Sequence, residues 1–243
     1  MRFLIKFTQF FFSLFGLIVK RKKNHYDAKK NFFQSLKHNK INSLIDVGAH
    51  EGNFIIDILK RFPNMKVISF EPVKSSFNIL NKNSEKYNNW KTYPYALGNI
   101  DQKTEINISD YSEANSFLTI TNELINFRPE LKIKGKEVIQ CKKLDNFFDE
   151  IKVYEKPIML KIDTQGYDLE VLKGAKETLK IIDFLFIEAS TAKVYENQPL
   201  FSDIINFVEK ENFKVWSVDR LMGNRKTGQT FQVDILFYKS FID

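Results

Sequence analysis

The chain of 243 residues has little cysteine and histidine, and it lacks repeats and linkers. The one cysteine, Cys141, cannot form an intramolecular disulfide, so we expect a fold without such crosslinks in a reducing, cytoplasmic compartment. With three histidines and this cysteine, no cluster has zinc-binding spacing, and we predict no metal site. There is no internal repeat and no low-complexity linker, and the hydrophobic content of 43% is that of a globular domain.

The first 40 residues lack acidic side chains almost entirely. They hold ten lysines and arginines against a single acid, Asp27, whereas the remaining chain has a net charge of about −2. The overall charge of +7 therefore comes from an amino-terminal arm, residues 1–40, and the domain that follows is nearly neutral. This distribution argues against a nucleic-acid-binding groove across the domain.

Residues 3–19 form a phenylalanine-rich apolar run that leads directly into the basic run 20–23. A signal peptide is excluded. In a signal peptide the basic residues precede the apolar run and a small-residue cleavage site follows it, whereas here the basic run 20–23 follows. A spanning helix is marginal, since Lys6, Thr8 and Gln9 interrupt a run shorter than about 20 residues. Two interpretations remain: a helix at the cytoplasmic membrane surface whose basic residues meet anionic lipid, and a helix packed on protein. For residues 1–23 we expect the membrane surface.

From residue 41 onward, strand and helix patterns alternate. Helices are predicted over residues 27–38, 53–61, 73–87, 168–179 and 201–211. Strands are predicted over residues 43–47, 66–70, 90–95, 158–162, 183–188, 213–218 and 232–238. The last strand follows its predecessor without room for a crossover helix and should be antiparallel. We predict one α/β domain, residues 41–243, with a doubly wound, mostly parallel seven-stranded sheet and an insertion around residues 98–140 that begins with a strand over 103–109.

A glycine-containing loop follows the first predicted strand and reads Asp46-Val-Gly-Ala-His-Glu-Gly52. Gly48 and Gly52 leave room for a ligand against the loop and the start of the next helix. The spacing differs from the G-x-G-x-x-G of dinucleotide-binding proteins. The preceding acid repels phosphate but suits a cationic group such as the ammonium of a methionine, so we predict a nucleoside without phosphates. A tight turn with no ligand is the alternative.

A second acid, Glu71, lies in Phe70-Glu71-Pro72 at the end of the second predicted strand. A carboxylate there can accept hydrogen bonds from both ribose hydroxyls. Alone it could equally be a surface acid. Together with the glycine loop it predicts a nucleoside site.

The sequence resembles the FkbM-type methyltransferases from about residue 41 to residue 238. The matching motifs are residues 46–52, 70–72, 95–98, 161–174, 187–188, 195–201 and 234–237, of which 161–174 is the most specific. The chain departs from the family at His50, where asparagine is usual, and at Gln165 and Asp168, where glutamates are frequent. The resemblance implies a Rossmann-like class I methyltransferase fold, S-adenosyl-L-methionine as cofactor and O-methylation of a sugar or polyketide hydroxyl. The predicted cofactor-binding residues are Asp46, Gly48, Ala49, His50, Gly52, Glu71, Pro72, Ala96 and Leu97.

Transfer of a methyl group to a hydroxyl needs an aligned acceptor oxygen and a base that takes its proton. Candidate bases should follow central strands: we predict Asp163 first and Glu188 second, with Asp168 and His50 in reserve. Asp163 could instead cap a helix or bind the methionine end of the cofactor, and Glu188 could be structural. Further candidates for acceptor contacts, which could equally be core residues, are Tyr167, Tyr195 and Phe201.

The interpretation we favour is a sugar O-methyltransferase of surface glycan or glycolipid assembly, working at the inner face of the membrane, with a sugar or glycolipid acceptor. An RNA methyltransferase is favoured by the pI of about 9.2 but weakened by the near-neutral domain. A module that binds S-adenosylmethionine without catalysis is the third hypothesis, because a fold does not guarantee its chemistry.

Overall fold

A computed structural model describes residues 28–224 and 226–240. They fall into two compact units, the first ending at His38 and the second beginning at Asn39. In the first, helix α1 spans Ala28–His38, and the predicted first residue, Asp27, lies outside the described residues. The expected membrane-surface segment, residues 1–23, lies outside the described residues. Within residues 28–224 and 226–240, the helices are too short or too polar to cross a bilayer.

The second unit is built on a seven-stranded sheet. Its strands are β1 (Ser43–Val47), β2 (Lys66–Phe70), β3 (Trp90–Tyr93), β7 (Ile158–Ile162), β8 (Phe184–Ser190), β9 (Phe213–Gly223) and β10 (Thr230–Lys239). They lie in the order β3-β2-β1-β7-β8-β10-β9. The first five are parallel, and β10 is antiparallel to both its neighbours, β8 and β9. The predicted doubly wound sheet with an antiparallel last strand is confirmed.

The central strands β1 and β7 are buried along their whole length, which explains why their sequences are apolar runs without alternation. Ile45, Val47, Leu160 and Ile162 belong to one core with residues of the flanking strands and helices. Both strands end at the same edge of the sheet, so the loops that follow them, at Gly48 and at Asp163, are neighbours.

Seven helices of this unit are α2 (Asn53–Arg61), α3 (Lys74–Ser84), α4 (Asn122–Phe127), α5 (Phe148–Ile151), α6 (Asp168–Lys173), α7 (Lys176–Leu179) and α8 (Phe201–Lys210). The single helix predicted over residues 168–179 is wrong, because it is divided at Gly174. A Cβ atom on Gly174 would lie 1.9 Å from the carbonyl oxygen of Gly98, so the chain packs there as closely as glycine allows.

The predicted insertion forms a small sheet of its own, in which β4 (Ala96–Leu97), β6 (Ile133–Lys142) and β5 (Gln102–Ser109) lie side by side. The sequence indicated β5, but not its partner β6. Between them lie α4 and short 3-10 turns at Ser112–Ala114 and Pro129–Leu131. Cys141 is buried in an apolar cluster with Ala96, Ile106 and Ile139 as the small apolar residue expected, and burial raises the pKa of its thiol to about 11.

Candidate active site

The glycine loop after β1 is a tight bend with left-handed backbone at Gly48, His50 and Gly52. Gly48 and Ala49 both donate their N–H groups to the carbonyl oxygen of Phe70, at 3.1 Å each. A Cβ atom on Gly48 would lie 1.9 Å from the carbonyl oxygen of Asp163, and one on Gly52 would overlap the Trp90 ring at 2.6 Å. Both glycines are therefore required by the packing of the protein itself, in addition to any ligand.

Glu71 joins this bend to the end of β2. One carboxylate oxygen accepts the His50 N–H and the other accepts the Val73 N–H, each at 2.9 Å. The side chain is 6% exposed, and burial raises its pKa to about 7, with smaller contributions from Asp46 and Glu137. The two motifs predicted at neighbouring strand ends are thus in direct contact, and each oxygen of Glu71 has lone-pair capacity left for a ligand.

Asp46 has a different environment from the one its motif suggested. It is fully buried, and the Lys161 ammonium lies 2.9 Å from one of its oxygens, while the Ser69 hydroxyl lies 3.5 Å from the other. Burial acts to lower the pKa of Lys161, but attraction by Asp46 and Asp163 outweighs it and the pKa is raised. The cation next to Asp46 is therefore the protein's own lysine, and a direct contact with a ligand ammonium, as predicted from the motif, has no support in this geometry.

A cavity opens above these strand ends and encloses about 560 Å³, part of it continuous with solvent. Seven of the predicted site residues line it: Gly48, His50, Glu71, Pro72, Ala96, Leu97 and Asp163. Asp46, Ala49 and Gly52 lie behind this surface and support the bend. The cavity therefore gathers residues from the ends of β1, β2 and β7 and from β4.

The insertion supplies a wall of the cavity, as its expected position above the sheet suggested, but the sequence did not indicate which of its residues form that wall. Ile106, Ser112, Glu113, Asn115 and Phe117 line the cavity, and none of them lies in a motif that we recognised. The His50 ring Nε2 is 2.9 Å from the Ser112 hydroxyl, which connects this wall to the glycine bend. The remaining lining residues are Val47, Phe70, Val73, Tyr95, Thr164 and Gln165. Each lies within two residues of a predicted site residue, and all but Val73 belong to motifs that the sequence analysis identified.

Of the two leading candidate bases, Asp163 is the one that lines the cavity. Its side chain is 36% exposed. The Gln165 amide donates to one of its oxygens at 2.8 Å, and the Lys161 ammonium lies 3.8 Å from the other. The carboxylate is accordingly exposed to the cavity, and its contacts with Gln165 and Lys161 restrict its orientation.

Glu188 lies beside Asp163, since Ile162 and Ile187 immediately before them are paired in β7 and β8. The row of acids continues, because Asp234 pairs with Glu188 and Asp219 pairs with Asp234. Burial raises the pKa of Glu188 well above its usual range, and the charges of Asp163, Asp168 and Asp234 add to this effect. Glu188 lies outside the cavity lining and accepts a hydrogen bond from Gln232, so it is a weaker candidate for an unprotonated base than Asp163.

The reserve candidate Asp168 organises the loop after β7. It is buried and accepts hydrogen bonds from the N–H groups of Thr164 and Gly166, at 3.0 and 3.2 Å, and from the Thr164 hydroxyl at 3.1 Å. Burial raises its pKa to about 6. With these three donors in place, Asp168 serves the loop rather than the cavity.

The aromatic residues considered as acceptor contacts pack inside the protein. Tyr167 contacts Phe117 with ring centroids 4.5 Å apart, Tyr195 is buried, and Phe201 packs on the main core. None of the three belongs to the cavity lining within the described part of the chain.

The profile described as "Methyltransferase FkbM domain" matches residues 46–215, which contain the bend, Glu71, the insertion, Asp163 and Glu188. The chain belongs to the FkbM methyltransferase family. It carries the family's methyltransferase domain over most of its length.

Curated relatives of this FkbM domain include methyltransferases from a fungus and a bacterium. Methyltransferase 1 of Beauveria bassiana (strain ARSEF 2860) is 25% identical over 162 residues, covering 62% of this chain and 65% of its own. The 2-O-methyltransferase NoeI of Sinorhizobium fredii (strain NBRC 101917 / NGR234) is 24% identical over 162 residues, covering 64% and 66%. The chain thus spans just under two thirds of the length of these relatives.

Solved structures support the fold of the FkbM domain. The magnesium protoporphyrin IX methyltransferase ChlM of Synechocystis PCC 6803, solved with bound SAM, matches with a TM-score of 0.50 at 8% identity, over 88% of this chain and 77% of its own. The methyltransferase domain of a bacterial Hen1 protein also matches with a TM-score of 0.50 at 8% identity, over 86% and 96%. At such low identity the likeness concerns the fold alone.

In the described part of the FkbM domain, no three histidine, cysteine or acidic side chains are arranged to hold a metal ion.

Proposed function

We propose that this protein transfers a methyl group from S-adenosylmethionine to a sugar hydroxyl in surface glycan or glycolipid assembly. One observation carries the proposal: a single cavity joins Glu71, suited to a ribose, with Asp163, suited to an acceptor proton. Membership of a methyltransferase family makes this combination meaningful, because the same two carboxylates in an unrelated fold would not indicate a reaction.

The residues of the cavity fit the cofactor. Glu71 keeps lone pairs that two ribose hydroxyls can fill, and its burial excludes competing water. Ala96, Leu97, Ile106 and Phe117 form an apolar wall of the kind that an adenine ring requires. When bound, S-adenosylmethionine supplies a methyl group activated by its sulfonium.

Asp163 would accept the proton of the acceptor hydroxyl. Its carboxylate faces the cavity, and contacts from Gln165 and Lys161 restrict its orientation, as a general base requires. The name of the relative NoeI specifies 2-O-methylation, which supports oxygen as the acceptor atom.

Binding and turnover test the proposal separately. Calorimetry with S-adenosylmethionine and S-adenosylhomocysteine should give saturable binding, and Glu71→Ala should weaken it. Radiolabelled methyl transfer should then be measured with a panel of free, nucleotide-linked and lipid-linked sugars, and with RNA. Absence of binding would overturn the cofactor assignment, binding without turnover would favour a non-catalytic module, and transfer to RNA alone would replace the sugar acceptor.

Asp163→Asn should lower kcat on the acceptor so identified by about 100- to 10,000-fold, the usual contribution of a general base. The affinity for S-adenosylhomocysteine should stay within about twofold, because the variant keeps the shape of the site. Glu188→Gln is the matched comparison and should have the smaller effect on kcat. A larger loss in Glu188→Gln would transfer the role of base to that residue.

The amino-terminal arm suggests where the reaction takes place. Its basic run, residues 20–23, would draw the enzyme to anionic lipid at the inner face of the membrane, at about 1 kcal/mol per basic residue. Replacing these four residues by glutamine should release the protein from phosphatidylserine vesicles in sedimentation. Retention of the variant on such vesicles would contradict the role of the basic run. Failure of the unmodified protein to bind them would favour an arm packed on protein, and loss of RNA retention alone would favour an RNA acceptor.

A further inference from the structure

The loop that follows Asp163 holds one residue, Gln165, that makes hydrogen bonds to three other residues. Gln165 has a φ of 54°, in the left-handed region that glycine adopts more readily than glutamine. The neighbouring Gly166 has a φ of 93°, so two consecutive residues of this loop have positive φ and only one of them is a glycine. A glutamine in this region indicates that its side chain is needed where the backbone places it.

Three contacts fix Gln165. Its backbone carbonyl accepts a hydrogen bond from the Ser116 hydroxyl at 2.7 Å. Its side-chain oxygen accepts one from the Tyr195 hydroxyl at 2.8 Å, and its side-chain nitrogen donates to Asp163 at 2.8 Å. The Asp163 contact settles which end of the amide is the donor, because an ionised carboxylate only accepts and needs the amide nitrogen, which leaves the amide oxygen to accept from Tyr195.

The support behind this chain of contacts is rigid. Tyr195 is 3% exposed, and its backbone pairs with Ile120 in an isolated bridge. The N–H groups of Val194 and Tyr195 are both satisfied by the Gln198 side chain. Tyr195 is therefore fixed by the core and by the insertion. Its hydroxyl restricts the orientation of the Gln165 amide, and the amide in turn restricts the Asp163 carboxylate.

We propose that Gln165 is a positioning residue, which sets the carboxylate plane of Asp163 through a relay that begins at the Tyr195 hydroxyl. This inference rests on the proposed function, in which Asp163 is the base. A glutamate, frequent at this position in the family, could accept from Tyr195 but could not donate to Asp163 while ionised. The amide therefore gives this chain a means of orienting its base that a carboxylate would lack.

Kinetics test the relay. Gln165→Met removes both side-chain hydrogen bonds at similar volume and should lower kcat by about 10- to 100-fold, as misplacement of a catalytic group does. Tyr195→Phe removes the hydroxyl alone and should lower kcat by about 3- to 10-fold. In both variants the Kd for S-adenosylhomocysteine should stay within about twofold, and Gln140→Met, at an exposed glutamine of β6, should match the wild type in kcat and Kd. Full activity of both relay variants, alongside an inactive Asp163→Asn, would overturn the inference and leave the proposed function intact.

A readout without any acceptor keeps the two proposals separable. In ¹⁵N-labelled protein, the side-chain amide signal of Gln165 is assigned by its loss in Gln165→Met. It should shift in Asp163→Asn and in Tyr195→Phe, and remain in place in Gln140→Met. Should Gln165→Met fail to fold, Tyr195→Phe still carries the test. An amide signal that neither Asp163→Asn nor Tyr195→Phe moves would show that the relay does not exist in solution.

Discussion

The two ends of the cavity are built by different means. At the end formed by β1 and β2, backbone groups make the site: Glu71 is bound by two N–H groups, and Gly48 lies against the backbone of Asp163. At the end formed by the loop after β7, side chains make it, and Asp163 depends on the Gln165 amide and the Lys161 ammonium. At the first end, we expect substitutions that add side-chain bulk, as at Gly48, to be poorly tolerated. At the second, we expect substitutions that remove a hydrogen bond or a charge next to Asp163 to be poorly tolerated.

This difference accounts for what the sequence could reveal. Backbone requirements appear as glycines at fixed spacing, so the bend and Glu71 could be predicted from local motifs. The sheet could be predicted equally well, since buried parallel strands are apolar runs such as Ser43–Val47 and Ile158–Ile162. The antiparallel last strand followed from the short connection before it.

The end of the cavity built from side chains was harder to predict, because the residues that contact one another there are distant in the sequence. Asp46 and Lys161 are 115 residues apart, and Tyr195 and Gln165 are 30 apart. No residue close to Asp46 in the sequence indicates that its carboxylate will form an ion pair with a lysine. The individual residues of the insertion wall could not be predicted for the same reason, since residues such as Phe117 acquire a role only when β5 and β6 pair.

The largest effect should come from breaking the buried pair that underlies both ends. Lys161→Met leaves the fully buried Asp46 without a partner and should lower the free energy of unfolding by about 3–5 kcal/mol. The measurement is urea denaturation. Adding Asp46→Asn should restore much of the loss, because no unpaired charge remains, while Lys180→Met at an exposed ion pair should cost under about 1 kcal/mol. An equal loss in free energy of unfolding in Lys161→Met and Lys180→Met would show that the buried ion pair matters no more for stability than an exposed one.

An intermediate effect concerns Glu71 and pH. Ribose hydroxyls donate to the ionised carboxylate, so affinity for S-adenosylhomocysteine should rise with pH through the Glu71 pKa of about 7. Between pH 6 and pH 8 the gain should be about tenfold, from one proton released on binding. The free protein behaves in the opposite sense: this pKa lies above the ordinary 4.5, so the contribution of Glu71 to stability is lost as pH rises through about 7.

Calorimetry across this range, with Glu71→Gln as the comparison, checks the dependence. The variant should bind more weakly and show a flatter pH profile, since its side chain does not titrate. A profile in Glu71→Gln as steep as that of the wild type would assign the titration to another group.

The smallest effect should come from the contact between the insertion and the bend. Ser112→Ala removes the hydroxyl next to the His50 ring and should weaken S-adenosylhomocysteine binding by about two- to fivefold, the range of one partly exposed hydrogen bond. Ser75→Ala, at an exposed position of α3, is the matched control. No change in Ser112→Ala would show that the insertion wall and the bend act independently.

The position of Trp90 gives the protein an intrinsic optical probe. The chain has two tryptophans; Trp90 is 6% exposed beneath Gly52, and its indole N–H donates to Ser69 at 2.9 Å, whereas Trp216 is 43% exposed on β9. Emission from the sheltered indole should lie at shorter wavelength than that from the solvated one. Occupancy of the bend can therefore be followed by fluorescence in the unlabelled protein, with Trp216 as an internal reference.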